Sequence, residues 1–282
     1  MSNNVELEIR YNIHPDHAKT LDTQGLRKEF LLQNLFVPGK VRLVYSHIDR
    51  IIVGGAVPLG ELKLEVDRRV IGAEYLLERR ELGLINLGGP AEILVDGTAY
   101  SLNRLDAIYI GKGNRDIVLR SVNSNDPAKL YILSGTAHTS FPTRRVTKEE
   151  ARKVALGALE TSNKRTIYQM IHPEIVPTCN LVMGITSLEV GSVWNTMPPH
   201  THERRMEVYL YFDLPKDALV FHFIGLPSET RHIVVRNEEA VIAPSWSIHC
   251  GVGTSNYSFV RGMVGENQAF DDMDTVLLDA LF

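Results

Sequence analysis

HTHERRME, residues 200–207, spaces two histidines and a glutamate as His-x-His-x4-Glu. Residues two apart on a β-strand point to the same face, so His200 and His202 can both face the interior of a barrel. Glu207 follows a short turn and starts another strand, and His249 ends a later Pro-x4-His stretch on a strand expected to lie nearby. Three imidazoles and one carboxylate would then meet, which predicts a metal site inside a β-barrel.

This donor set suits Zn²⁺, Fe²⁺, Mn²⁺, Ni²⁺ and Co²⁺, and the residues do not choose among these ions. An ion held this way polarises a carbonyl group and stabilises a developing enediolate. The competing interpretation is that the histidines are scattered surface or core residues, which is the usual fate of a lone histidine. The second motif and the β-rich context favour a metal site, so the sequence predicts a metal-dependent enzyme.

The bulk composition narrows the class of protein. A length of 282 residues allows one large all-β domain or two domains of ordinary size. A net charge of -4 and a pI near 6.2 provide no general attraction to nucleic acid or acidic lipid, so we expect a small-molecule ligand. Cys179 and Cys250 lie far apart and fit a reducing compartment. Without a targeting segment or a long apolar run, we expect a soluble, cytoplasmic protein that does not bind membranes.

Short apolar runs separated by turn residues follow one another from about Val41 to Ser134. Asp96-Gly97 joins two of these runs and is typical of a two-residue β-hairpin, because a type I′ turn needs positive φ angles. The second half of the chain repeats this pattern, so the sequence predicts two β-barrels.

Three helices are expected between and beside these barrels. Residues 147–150, TKEE, fit a capping box and predict a helix through about Ala155, which marks the domain boundary. The N-terminal barrel would then occupy residues 1–150 and the C-terminal barrel residues 151–282. The other two helices are predicted over Thr23 to Gln33 and Asp272 to Leu281.

A weak internal repeat relates the two halves. Glu-Arg-Arg at residues 78–80 matches Glu-Arg-Arg at residues 203–205, and residues 111–116 then align with residues 244–249. On this alignment the positions equivalent to the four metal ligands hold Tyr75, Leu77, Leu82 and Asp116. The N-terminal barrel is therefore predicted to lack metal ligands, and the C-terminal barrel to bind one ion per chain.

The two ligand motifs resemble the signature motifs of the cupin superfamily, here in a chain with two cupin barrels. The match departs from the general pattern at Trp246, where a glycine is common. Longer strings resemble the 5-keto-4-deoxyuronate isomerase family, and the resemblance extends from about His14 to Asp274. These strings include HAKTLDTQGLR at 17–27, YSHIDRIIVGG at 45–55, WNTMP at 194–198 and MVGENQ at 263–268.

This resemblance implies an aldose-ketose isomerase of pectin and polyuronate degradation. The implied reaction converts 5-dehydro-4-deoxy-D-glucuronate to 3-deoxy-D-glycero-2,5-hexodiulosonate. The implied fold is an all-β two-cupin chain, a double β-barrel or jelly-roll, with a few short helices. The resemblance also implies a homohexamer and one zinc ion per chain, held by His200, His202, Glu207 and His249.

Two other functions are compatible with the ligand set. One is a cupin non-haem iron dioxygenase, since three histidines and a glutamate also bind Fe²⁺, and oxygen uptake would reveal it. The other is a non-catalytic sugar-binding cupin that keeps its metal for stability, which would bind ligand without turnover.

The isomerisation needs a group that moves a proton from C2 to C1 while negative charge builds on oxygen. Candidates for this catalytic role are Glu203, Glu266 and Tyr209, followed by His232 and Tyr211.

The substrate carboxylate favours an arginine, whose planar guanidinium forms two parallel hydrogen bonds with it. Candidates for substrate binding are Arg204, Arg205 and Arg165, with Arg231 and Arg261 possible through folding.

Overall fold

The computed structural model describes residues 4–269 and 271–282, and strands dominate this part of the chain. The helices are short: α1 (Pro15–Ala18), α2 (Thr23–Phe30), α3 (Arg68–Ile71), and 3₁₀ turns at Leu76–Glu78 and Leu278–Ala280. The prediction of an all-β chain with a few short helices is confirmed. Within the described ranges, no helix is long and apolar enough to span a membrane. The expectation about a targeting segment involves residues 1–3, which lie outside these ranges.

The strands fall into two compact units. In chain order they are β1 (Val5–Arg10), β2 (Leu31–Leu32), β3 (Val41–Ser46), β4 (Ile52–Ala56), β5 (Leu62–Lys63), β6 (Arg80–Asn86), β7 (Ala91–Val95), β8 (Thr98–Leu102), β9 (Ala107–Ile110), β10 (Ile117–Ser121), β11 (Leu130–Thr136), β12 (Arg144–Val146), β13 (Arg152–Leu156), β14 (Arg165–Ile171), β15 (Val182–Leu188), β16 (Trp194–Asn195), β17 (His200–Thr201), β18 (Arg205–Phe212), β19 (Val220–Leu226), β20 (Glu229–Val235), β21 (Ala240–Ala243), β22 (Cys250–Gly253), β23 (Ser258–Gly265) and β24 (Asp274–Thr275).

The first unit contains a seven-stranded sheet and a four-stranded sheet. The larger has the order β1-β3-β4-β11-β6-β9-β12 and the smaller the order β5-β10-β7-β8. The predicted hairpin joins β7 to β8, with positive φ angles of 46° at Asp96 and 83° at Gly97. This unit comprises the chain up to Tyr11, Asn34–Ala151 and Met170–Met183.

The second unit repeats this strand order, although its edge strand β13 pairs antiparallel with β14 whereas β1 pairs parallel with β3. Its sheets have the orders β13-β14-β15-β23-β18-β21-β2 and β16-β22-β19-β20, and β17 pairs separately with β24. The strand registers also correspond, because Leu82 pairs with the last residue of β9 and Glu207 with the last residue of β21. This agreement supports the alignment that puts Leu82 opposite Glu207.

The core of the first unit explains why it has no metal site of this kind. Leu77 and Leu82 are fully buried there among other aliphatic side chains such as Leu84 and Ile132. Asp116, the fourth equivalent position, is exposed. In the part of the chain that the structure describes, the four-residue group in the second unit is the only His/Cys/Asp/Glu cluster with metal-site geometry.

The predicted helix at residues 147–155 is wrong, although its capping contacts form. The Thr147 amide donates to the Glu150 carboxylate at 2.7 Å, and the Glu150 amide donates to Thr147 Oγ1 at 3.3 Å. The chain then enters β13, which pairs with β14 from Arg152 opposite Gln169 onward. Pairing with a neighbouring strand outweighs the local helix signal.

Of the other two helix predictions, the one that starts at Thr23 is confirmed as far as Phe30 and the one over residues 272–281 is wrong. α2 begins at Thr23 as predicted, with Asp22 capping the Gly25 amide at 2.8 Å, but it ends at Phe30 because residues 31–32 add to the edge of β21. Residues 272–281 form β24 and a 3₁₀ turn rather than a helix.

Two segments of the chain do not follow a single domain boundary at residue 150. Residues 12–33 belong to the second unit, where Leu26 and Phe30 of α2 are buried in its core and β2 extends its larger sheet. Residues 170–183 belong to the first unit. There the buried Glu81 carboxylate accepts from the successive amides of Cys179, Asn180 and Leu181 at 2.7–2.8 Å.

Candidate metal centre

The four predicted ligands come together inside the second unit. His200 lies on β17, which is held by its pairing with β24, and Glu207 lies near the start of β18. His202 lies in the turn between these strands, and His249 immediately precedes β22. The exposed fraction of His200 is 4%, and the other three are fully buried.

The ligand atoms lie close enough to share one ion. One atom from each residue lies within 4.8 Å of the others. His202 Nε2 is 3.1 Å from Glu207 Oε1, and the Nε2 atoms of His200 and His249 are 3.0 Å apart. The four side chains therefore converge on a single point.

The outer ring nitrogens of two histidines are fixed by backbone carbonyls. His202 Nδ1 lies 2.8 Å from the Arg205 carbonyl, and His249 Nδ1 lies 3.1 Å from the Ser247 carbonyl. A carbonyl only accepts, so Nδ1 donates and the Nε2 lone pair of each ring points to the centre. Such outer contacts set the tautomer and ring orientation of metal-ligating histidines.

The donor set fits a divalent cation. Glu207 Oε2 is buried and no group in residues 4–269 or 271–282 hydrogen-bonds to it. Burial, followed by the neighbouring His249, lowers the pKa of His200 to about 3, and burial lowers that of His249 to about 4. Although burial opposes its ionisation, His249 and His202 hold the pKa of Glu207 well below its usual value. Neutral imidazoles around a carboxylate with a free oxygen suit a metal ion.

Of the catalytic candidates, Tyr209 is the one that lies beside the ligands. It is fully buried, two residues after Glu207 on the same face of β18, and its ring centroid is 5.7 Å from that of His249. Glu203 and Glu266 are exposed. Burial and the Glu207 carboxylate raise the pKa of Tyr209 well above its usual value, so its hydroxyl keeps its proton.

Two of the three predicted substrate-binding arginines are engaged elsewhere. Arg204 forms ion pairs with Asp272 and Asp274. The buried Arg205 guanidinium donates to the Asp272 carbonyl at 3.1 Å and to Asn267 at 3.2 Å. These contacts tie the C-terminal segment to the ligand-bearing turn and leave neither guanidinium directed at the ligand cluster.

The third predicted arginine belongs to a positively charged pair. Arg165 on β14 is partly buried, and burial together with the charge of Arg261 contributes to lowering its pKa. Arg261 lies on β23 directly opposite Tyr209, so the two side chains share a face of the sheet. The charge of Arg261 also acts on Glu207 and helps to lower its pKa.

Sequence reasoning missed His222 and Asn195, which are buried in the same barrel. His222 lies on β19 and Asn195 on β16, and both pair with Gly251 of β22. A signal was present in VFHFI, residues 220–224, where alternation places a histidine on the same face as two buried aliphatic residues.

Comparison with known proteins agrees with this geometry. The model of the KduI/IolB family matches residues 30–277. A 4-deoxy-L-threo-5-hexosulose-uronate ketol-isomerase from Pectobacterium carotovorum is 54% identical over 274 residues, which cover 96% of this chain and 99% of that protein. The protein of the same name from Escherichia coli O9:H4 is 54% identical over 278 residues, covering 98% of this chain and all of that one.

Solved structures show the same fold at low sequence identity. An IolB-like protein from Salmonella typhimurium has a TM-score of 0.66 at 13% identity, covering 80% of this chain and 86% of that chain. Oxalate decarboxylase from Lactobacillus farciminis has a TM-score of 0.55 at 11% identity, covering 81% and 79%. These similarities confirm the two-cupin fold. The family match over residues 30–277 and the 54% identity to the two ketol-isomerases show that the chain belongs to the KduI/IolB family.

Proposed function

We propose that this chain is a metal-dependent ketol-isomerase that acts on 4-deoxy-L-threo-5-hexosulose uronate, in pectin and polyuronate degradation. The observation that carries the proposal is 54% identity to ketol-isomerases of that name over nearly the full length of both chains. The buried three-histidine, one-glutamate cluster supports it, because an isomerisation through an enediol needs stabilisation of negative charge on oxygen.

The metal would be held by His200, His202, Glu207 and His249. When bound, it supplies Lewis-acid polarisation of the substrate carbonyl. We propose zinc as the ion, one per chain, which is consistent with imidazole and carboxylate donors. A homohexameric assembly, which the family resemblance implies, and a cytoplasmic location, which the sequence composition favours, complete the proposal.

We assign the substrate carboxylate to Arg165 and Arg261. Two guanidinium groups whose charges act on each other are favourable for a carboxylate, which neutralises them and accepts several hydrogen bonds. Arg261 also lies opposite Tyr209, so a bound carboxylate would hold the remainder of the sugar acid near the ligand cluster.

We assign to Tyr209 the role of a hydrogen-bond donor to substrate oxygen. Its hydroxyl is buried and has no hydrogen-bond partner of good geometry among the described residues. Because burial keeps Tyr209 protonated, it would donate to an oxygen that gains negative charge as the C2 proton leaves. Glu203 and Glu266 remain candidates for moving the proton, provided that substrate binding brings them to C1 and C2.

The proposal is tested by following the reaction by NMR in D₂O. Metal-replete protein mixed with freshly prepared 4-deoxy-L-threo-5-hexosulose uronate should convert it to the 2-keto product, with deuterium entering at C1 if an enediol forms. Chelation should stop turnover, and added Zn²⁺ should restore it.

Three outcomes would contradict the isomerase proposal. Absence of turnover by the metal-replete protein would reject it outright. Oxygen uptake with Fe²⁺ would identify a dioxygenase instead, and metal-dependent binding of the sugar acid without turnover would identify a sugar-binding cupin.

A further inference from the structure

A second group of buried polar side chains lies next to the ligand cluster, and the proposed mechanism does not yet use it. Tyr211 Oη and His222 Nδ1 are 2.7 Å apart. Asn195 Nδ2 lies 2.5 Å from Tyr257 Oη, which donates to the Gly251 carbonyl at 3.2 Å. All these side chains are at least 98% buried. Buried polar networks of this kind have one consistent arrangement of protons.

The hydrogen-bond directions can be followed from the backbone inward. The Gly251 carbonyl only accepts, so Tyr257 donates its single proton there and its oxygen accepts from the Asn195 amide. Among the described residues, the hydrogen-bond partner of the Tyr211 hydroxyl is His222 Nδ1. Tyr211 therefore has its own proton available for His222.

The Tyr211 hydroxyl fixes the tautomer of His222. Tyr211 stays protonated, because burial raises its pKa well above the usual value, and it donates to Nδ1 of His222. His222 is fully buried with no ion-pair partner among the described residues, so the imidazole is neutral. A neutral imidazole that accepts at Nδ1 carries its proton on Nε2.

The Nε2 proton of His222 lacks an acceptor within residues 4–269 and 271–282. A buried N–H without a partner costs about 1–3 kcal/mol, so proteins rarely keep one without a reason. His222 faces the same interior as Tyr209, with ring centroids 5.5 Å apart, and Tyr209 in turn contacts His249. Protonated Nε2 cannot bind metal, so the ligand cluster does not account for it.

We propose that His222 is a substrate-binding residue whose Nε2–H donates a hydrogen bond to an oxygen of the sugar acid. This inference rests on the proposed function and adds a residue to its site. Tyr211 acts as a positioning residue, since its hydrogen bond to Nδ1 keeps the proton of His222 on Nε2. A neutral donor that bonds a hydroxyl or carbonyl oxygen equally in the ground state and the transition state contributes to binding rather than to turnover.

The test is steady-state kinetics of His222→Phe with matched variants, each loaded with metal. Phenylalanine fills the ring volume without the donor, and the KM for 4-deoxy-L-threo-5-hexosulose uronate should rise about tenfold with little change in kcat. His222→Gln, which returns an N–H donor, should recover part of the loss. Tyr211→Phe should raise KM less, and the double variant no more than His222→Phe alone.

His138→Phe, at an exposed histidine of the first unit, is the control and should match wild type. Unchanged KM in a folded, metal-replete His222→Phe would overturn the inference and indicate that the donor holds only a water molecule. Loss of bound metal in that variant would also overturn it, because the residue would then support the ligands. Absence of turnover by wild-type protein would instead reject the proposed function and this inference with it.

Discussion

At the scale of single residues, the second unit buries three histidines as neutral rings. Burial lowers the pKa of His200 and His222 to about 3 and that of His249 to about 4, against about 6.5 in an unfolded chain. Below pH 6.5 these three histidines bind more protons in the unfolded chain than in the folded one. Their contribution to stability therefore decreases as the pH falls, until the pH reaches their pKa values in the folded chain. Above pH 6.5 these histidines contribute no pH dependence.

We therefore expect the Tm of chelated protein to fall steeply between pH 6.5 and about 4. The slope should be smaller in His222→Gln, which removes one of the three groups, and unchanged in His232→Gln, which alters an exposed histidine. A Tm that is constant over this range, measured by differential scanning calorimetry, would contradict neutral burial of these rings.

Local motifs in the sequence predicted the four residues that cluster in the structure. Three of them lie in one His-x-His-x4-Glu run and are therefore close in space, and His249 came from a separate Pro-x4-His stretch. His222 and Arg261 were harder to find, since each faces the site through the register of a distant strand pair. Sequence periodicity shows on which face of its own strand a residue lies, but it does not show which other strand pairs with that strand or in which register.

At the scale of elements, the C-terminal segment at residues 272–275 contacts the segment that carries His200 and His202. β24 pairs with β17 through Thr275 opposite His200, and Arg204 pairs with Asp272 and Asp274 on that segment. Arg204 holds the pKa of Asp272 well below its usual value. This interaction is present above the unfolded pKa of Asp272 and is lost as pH falls through the folded pKa.

Arg204→Gln should weaken metal binding and lower stability only slightly, because the ion pairs are partly exposed. KM should stay near the wild-type value, since Arg204 is engaged by the two aspartates. Arg79→Gln, at the equivalent and largely exposed position of the first unit, is the control. A large increase in KM with normal metal content would return Arg204 to the substrate-binding residues.

The helix predictions failed for a common physical reason. Residues 31–32, 152–156 and 274–275 all pair with a strand that is distant in sequence or unrecognised beforehand. A capping box or helical periodicity acts over one turn, whereas a ladder of backbone hydrogen bonds gains from every residue it includes. The strand pattern was predictable because it is repeated along the chain.

At the scale of the whole chain, one strand order occurs twice, and one copy carries the candidate metal ligands. The strand orders of the two units correspond, and Leu82 takes the place of Glu207. An aliphatic side chain at that position makes the first unit a packed core instead of a metal site.

Leu82→Ala should destabilise the protein by about 2–5 kcal/mol, because it leaves a cavity in a fully buried core. Its metal content should stay equal to that of wild type. The control is Leu59→Ala, which truncates a side chain that is 50% exposed and should cost little. Chemical denaturation and metal analysis of both variants would test this, and a loss of metal from Leu82→Ala would contradict the division of roles.

The central claim is that one buried three-histidine, one-glutamate site provides the activity, and metal content measured together with turnover tests it most directly. Wild type and His138→Ala, which alters an exposed histidine, should each bind about one ion per chain and turn over the keto-uronate at the same rate. His249→Ala should remain folded but lose most of its bound metal and its activity together. A folded His249→Ala with full metal content and normal turnover would contradict the account.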